Sequence, residues 1–146
     1  MAGLRTGWLV SKNQEFLQKV IAFKDYLSIC SSAPSEILSI IALCHIEDFR
    51  IPNLQKIQNN IALFEDFAKQ HDTIGTFISP RAGSTSFVPL NIECSSLQFS
   101  DDLVEKAGIM TVPAEMFGYK GKYIRVGFGR AGMPKTLETL SAYLST

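Results

Sequence analysis

Gly3-Leu4-Arg5-Thr6-Gly7-Trp8, running on into Leu9-Val10, is the stretch from which the fold is read. One arginine stands between two glycines and close to a large aromatic residue. The apolar run after it predicts a strand over Leu4–Ser11, stopped by Ser11-Lys12-Asn13. A guanidinium at a Gly-flanked bend suits a phosphate or a carboxylate, because its planar fork holds two oxygens at once. The alternative for a single such arginine is a surface ion pair. A second arginine, Arg125, sits in a comparable apolar strand, Tyr123-Ile124-Arg125-Val126-Gly127-Phe128-Gly129. Alternation along that strand turns Ile124 and Val126 toward a core and Arg125 to the opposite side.

Between the two arginines the elements follow in a definite order. Asn13 is a plausible cap for a helix from about Asn13 to Lys24, with Phe16, Leu17, Val20, Ile21 and Phe23 as its apolar face. Ser31–Glu36 opens a second helix, Ile37–Leu43, which is apolar on most sides and must be buried or meet a partner chain. Phe49-Arg50-Ile51-Pro52-Asn53 breaks that pattern, since proline does not continue a helix but can lead into one. From Asn53 to about Lys69, Leu54, Ile57, Ile61, Phe64 and Ala68 form the clearest amphipathic stripe in the chain; lysine, glutamine, asparagine and acidic residues fill the other face.

After His71-Asp72 the pattern changes to short β segments. Thr76-Phe77-Ile78, Thr85–Ile92, Ile109–Val112 and Tyr123–Phe128 read as strands, punctuated by Pro80 and Gly83. Ser100-Asp101-Asp102 is suited to cap a short helix through Lys106, Pro113–Gly121 reads as a loop, and Pro134–Leu144 as a closing helix.

Composition excludes several classes of function. Lysine plus arginine number 14 and aspartate plus glutamate 14, so no basic excess points to nucleic acid or a membrane surface. No apolar run approaches a membrane span, and no signal peptide is evident. Cys30, Cys44 and Cys94 lack metal-ligand or disulfide spacing and read as reduced, buried thiols of a cytoplasmic protein. His45 and His71 are isolated, so no metal site is expected. Gly127-Phe128-Gly129-Arg130-Ala131-Gly132 fits a G-x-G-x-x-G pattern, but a dinucleotide fold needs a second parallel strand and a later acidic residue, and the sequence ends at Thr146. Those glycines read instead as the release from the arginine strand into the last helix.

The chain resembles the C-terminal part of the class I/II, fold-type-I aminotransferases that use pyridoxal 5'-phosphate (PLP). The resemblance is carried by Gly3-Leu4-Arg5-Thr6-Gly7; Pro80-Arg81-Ala82-Gly83 running into Phe87-Val88-Pro89-Leu90; Gly108–Pro113; Phe117-Gly118; and the Arg125 strand. It covers essentially the whole chain and corresponds to the closing portion of a complete enzyme. It implies that Arg5 holds the cofactor phosphate and Arg125 the substrate's α-carboxylate. The family's Schiff-base lysine precedes the phosphate arginine, and counting back from Arg5 passes Met1 and leaves the chain. Thr6 also departs from the family, which usually has an aliphatic residue there.

The resemblance implies an α/β chain with an α+β small domain. Residues 1–48 would be the tail of the large domain, close to a dimer interface; residues 49–72 a linking helix; and residues 73–146 a small domain with a short sheet covered by helices. The expected function is amino-group transfer between an amino acid and a 2-oxo acid, with the isolated chain inactive and completed by a homodimer partner or a preceding polypeptide. The alternative is a non-catalytic small-domain module that pairs with another chain.

Overall fold

The computed structural model describes residues 2–145. The chain divides into two compact units, Met1–Arg50 and Ile51–Thr146.

The first unit opens on a 3-10 turn, Ala2–Leu4, and residues 5–13 form no strand. The expected strand over Leu4–Ser11 is therefore corrected. A strand exists only by pairing, and the strands among the described residues all lie in the second unit. Helix α1 (Gln14–Leu27) has the expected cap: Asn13 Oδ1 accepts from Phe16 N–H at 3.0 Å. Helix α2 (Ala33–Cys44) carries Pro34 in its first turn, where a missing N–H costs nothing. Ala42 is the buried residue of α2, whereas Ile37, Leu38, Ile40 and Ile41 are exposed. Cys30 and Cys44 are exposed and Cys94 is half-buried, which corrects the reading of buried thiols.

Helix α3 (Ile46–Gln70) runs through Pro52, where a break was expected. Proline offers no N–H to the Asp48 carbonyl. A helix of 25 residues, anchored by buried Phe64 and Phe67, outlasts that single lost bond.

Strands β1 (Thr85–Pro89), β2 (Val112–Pro113) and β3 (Tyr123–Gly127) form an antiparallel sheet in the order β1-β3-β2. The Arg125 strand is thus central. Thr76-Phe77-Ile78 forms no strand; pairing occurs slightly earlier, as an Ile74–Leu90 bridge with Gly75 N–H donating to Pro89 C=O at 2.8 Å. Phe77 instead sets its ring edge against Phe64, 5.0 Å between centroids.

Helix α4 (Ser96–Ala107) begins before the expected Ser100, because Ser95 is the residue that caps it, accepting from Gln98 N–H at 3.1 Å. Gly108, at φ 63°, ends it in the left-handed conformation that favours glycine. Within the expected strand Ile109–Val112, pairing is limited to Val112, and the expected loop from Pro113 contains a 3-10 turn, Ala114–Phe117. Helix α5 (Met133–Leu144) closes the chain. The core lies between Val88 and Ile124 on the sheet's inner face, Phe64 of α3, Phe99 and Leu103 of α4, and Leu137 and Leu140 of α5.

Candidate anion site

Strand β3 alternates as the sequence requires: Ile124 is buried, Val126 half-buried and Arg125 exposed. The inner residues are drawn to the helices by apolar burial, which leaves the guanidinium on the outer face of the sheet. Across the sheet, Phe87 stands directly opposite Arg125. Phe128 N–H donates to Ser84 C=O and Leu90 N–H to Lys122 C=O, both at 2.8 Å. Alternation of the antiparallel ladder then makes Phe87–Arg125 a non-hydrogen-bonded pair, the kind with the closer side chains.

The 3-10 turn brings Phe117 beneath the arginine, with Arg125 Cζ 5.6 Å from the ring centroid. This distance is within the range of a cation–π contact. Phe117 in turn meets Phe87 edge-on at 5.3 Å. Among the described residues no carboxylate pairs with Arg125, so its donors remain available to an outside anion. Beside the β2 edge, a groove of about 830 Å³ opens between Met110–Val112 and the turn before α5; its lining is mostly apolar and includes the core residues Phe64, Leu137 and Leu140, so it lies on the inner side of the sheet. On the outer face, the Arg125 guanidinium is a positive charge without a counterion among the described residues, which favours an anionic occupant there.

Two polar clusters hold this face in place. Ser96 Oγ donates to Glu115 Oε2 at 2.6 Å, and Leu97 N–H reaches Glu115 Oε1 at 3.4 Å. Glu115 thereby fastens the turn that carries Phe117 to the start of α4. The hydrogen bond from Ser96, with smaller help from backbone N–H groups, lowers the Glu115 pKa from its ordinary value. At the other end of β3, buried Asn60 donates through Nδ2 to Phe128 C=O at 2.8 Å and Arg130 C=O at 2.7 Å. Asn60 ties the Gly-rich turn to α3. The sequence reading placed asparagine on the polar face of this helix and so missed the role; an amide among buried neighbours has no periodicity signal of its own.

Arg5 belongs to the other unit. It is exposed, follows the 3-10 turn and has φ 53°, a left-handed conformation uncommon for a residue with a side chain. Thr6 Oγ1 donates to Leu4 C=O at 3.2 Å across it. Among the described residues, no acidic side chain pairs with Arg5. The two candidate arginines are thus both free of ion pairs, each within its own unit. No group of three or more His, Cys, Asp and Glu side chains able to hold a metal occurs among the described residues.

The architecture has clear counterparts. A PLP-dependent aminotransferase from Streptococcus suis superposes with a TM-score of 0.88 at 26% identity, over 98% of this chain and 38% of its own length. The chain has the fold of PLP-dependent aminotransferases. Its three-stranded sheet and flanking helices match their C-terminal small domain. The PLP-dependent cyclase OrfR superposes with a TM-score of 0.86 at 21% identity, covering 99% of this chain and 40% of that one. In sequence, capreomycidine synthase from Streptomyces vinaceus is 25% identical over 148 residues, which is 100% of this chain and 38% of that enzyme. The chain therefore spans well under half the length of these relatives. No family model matches the sequence.

Proposed function

We propose that this chain is the C-terminal part of a PLP-dependent aminotransferase that moves an amino group between an amino acid and a 2-oxo acid. The observation that carries the reading is Arg125: an exposed guanidinium without an acidic partner, on the central strand of an aminotransferase-type small domain. In this reading Arg125 binds the substrate's α-carboxylate with its planar fork, and Phe117 limits its swing.

The donor set also fits the cofactor's anionic end. Arg5 is a cation with no acidic partner among the described residues, and it is presented by an unusual backbone turn; in this reading it holds the PLP phosphate. PLP, when bound, supplies an electron sink for chemistry at the amino acid's α-carbon. This chain's share is orientation and charge: one arginine for each anionic end. Neither arginine moves the proton, since a guanidinium stays charged; in this reading that task falls to a lysine encoded ahead of Gly3. Sequencing in frame upstream of the Met1 codon tests this. A coding segment with a lysine shortly before Gly3, yielding a protein that transaminates with PLP, is the expected result. An in-frame stop codon there would refute it.

A second reading rests on a different observation. In the first unit Trp8, Val10, Phe23, Tyr26 and Ile29 are each more than 60% exposed, at 71%, 86%, 63%, 86% and 70%. So much open apolar surface favours association, as a homodimer or with a preceding polypeptide. In its strong form, this chain is a non-catalytic module whose role is that association. The enzyme reading places the protein in the cytoplasm; among the described residues no helix is long and apolar enough to cross a membrane.

A further inference from the structure

The outer face of the sheet around Arg125 is aromatic. Phe87 stands across the strand pair from the arginine and Phe117 beneath its guanidinium, and the two rings meet each other edge-on. Tyr119 and Tyr123 extend the surface: their rings meet at 5.3 Å, and each lies 6.2 Å from Phe87. These rings are not core. Phe87, Phe117 and Tyr119 are 39%, 50% and 52% exposed, while the residues on the inner face, Val88 and Ile124, are buried. Exposing apolar rings costs free energy that folding alone does not recover, and here the cluster lies beside a cation without a counter-charge among the described residues.

From this face we infer the side-chain class of the ligand, an inference that rests on the reading of Arg125 as the carboxylate anchor. The ligand is an amino or 2-oxo acid with a flat, apolar side chain, its carboxylate on Arg125 and its side chain laid across Phe117 and Phe87. Edge and offset contacts between rings reward a planar group, and the charge complement selects a carboxylate at one end only. A second acidic end would lie against the Phe87 and Phe117 rings, which offer it no hydrogen-bond donor. A methyl side chain would leave the rings wet.

Saturation-transfer NMR on the full chain tests this with phenylpyruvate, pyruvate and 2-oxoglutarate as probes. Phenylpyruvate is expected to bind about tenfold more tightly than either other acid, from burial of one ring. Phe117→Leu and, independently, Phe87→Leu are expected to bring the ratio of phenylpyruvate to pyruvate affinity down toward one, whatever either change does to the shared carboxylate contact. Arg125→Lys is expected to weaken all three. Equal affinity of wild type for phenylpyruvate and pyruvate overturns the side-chain assignment and leaves the arginine's role standing. Absence of binding by all three acids, or binding unchanged in Arg125→Lys, overturns the carboxylate anchor and the inference with it.

Discussion

Phe87 and Arg125 face each other across the β1–β3 pair, in register and on the solvent side of the sheet. That relationship joins residues distant in sequence and sets an apolar ring beside a cation. Phe87 also meets Phe117 edge-on, and it is Phe117 that lies 5.6 Å under the guanidinium, so the pair ties Arg125 to an aromatic face.

Arg125→Lys keeps the charge and loses both the fork and the flat contact with Phe117. With Arg125 as the proposed carboxylate anchor, affinity for 2-oxo acids should fall about tenfold or more, the scale of one charge-assisted hydrogen bond. Unfolding by urea should change little, since the residue is exposed. Calorimetric titration alongside a urea curve separates the two effects.

Asn60→Leu should destabilise the second unit by about 2–3 kcal/mol, because the Phe128 and Arg130 carbonyls lose their donor. Asn60→Asp should cost more, as a buried carboxylate would face two carbonyl oxygens. Urea denaturation followed by circular dichroism gives both values; equal stability of wild type and Asn60→Leu would show that the clamp contributes nothing.

Acid should loosen the turn that carries Phe117. Glu115 has a lowered pKa when folded, so its contribution is present above the pKa of the unfolded chain and is lost as pH falls through the folded value. Asp102 behaves in the same sense, lowered first by Lys106 and then by Tyr143. Tyr143 works in the opposite direction: burial, then its hydrogen bond to Asp102 at 2.7 Å, raises its pKa to about 12. Its contribution is complete below the unfolded tyrosine pKa and is lost as pH rises through about 12. Thermal melts of wild type and Glu115→Gln from neutral to acid pH should converge as pH falls. Parallel melts across that range would show that Glu115 does not report on folding.

In the proposed reading the chain alone, mixed with PLP and an amino acid, should release no 2-oxo acid, because Arg5 and Arg125 bind and orient but a guanidinium keeps its proton at any working pH. Detection of a 2-oxo acid by a coupled dehydrogenase assay would contradict this.

The helices and the facing of Arg125 were legible in the sequence because the information is local. Asn13 caps α1 through a bond to a residue three positions on, and Ile124-Arg125-Val126 alternates within one strand. The same locality misled at Leu4–Ser11 and at Thr76-Phe77-Ile78, where apolar runs resemble strands but no neighbouring strand pairs with them. It misled again at Pro52, where the length of α3 outweighs one lost hydrogen bond. Tertiary structure alone decided that Asn60 is buried against the turn at Phe128 and Arg130, and that Phe87, Phe117 and Arg125 share a face. Those contacts join residues far apart in the chain, and no residue's neighbours in sequence carry a record of them.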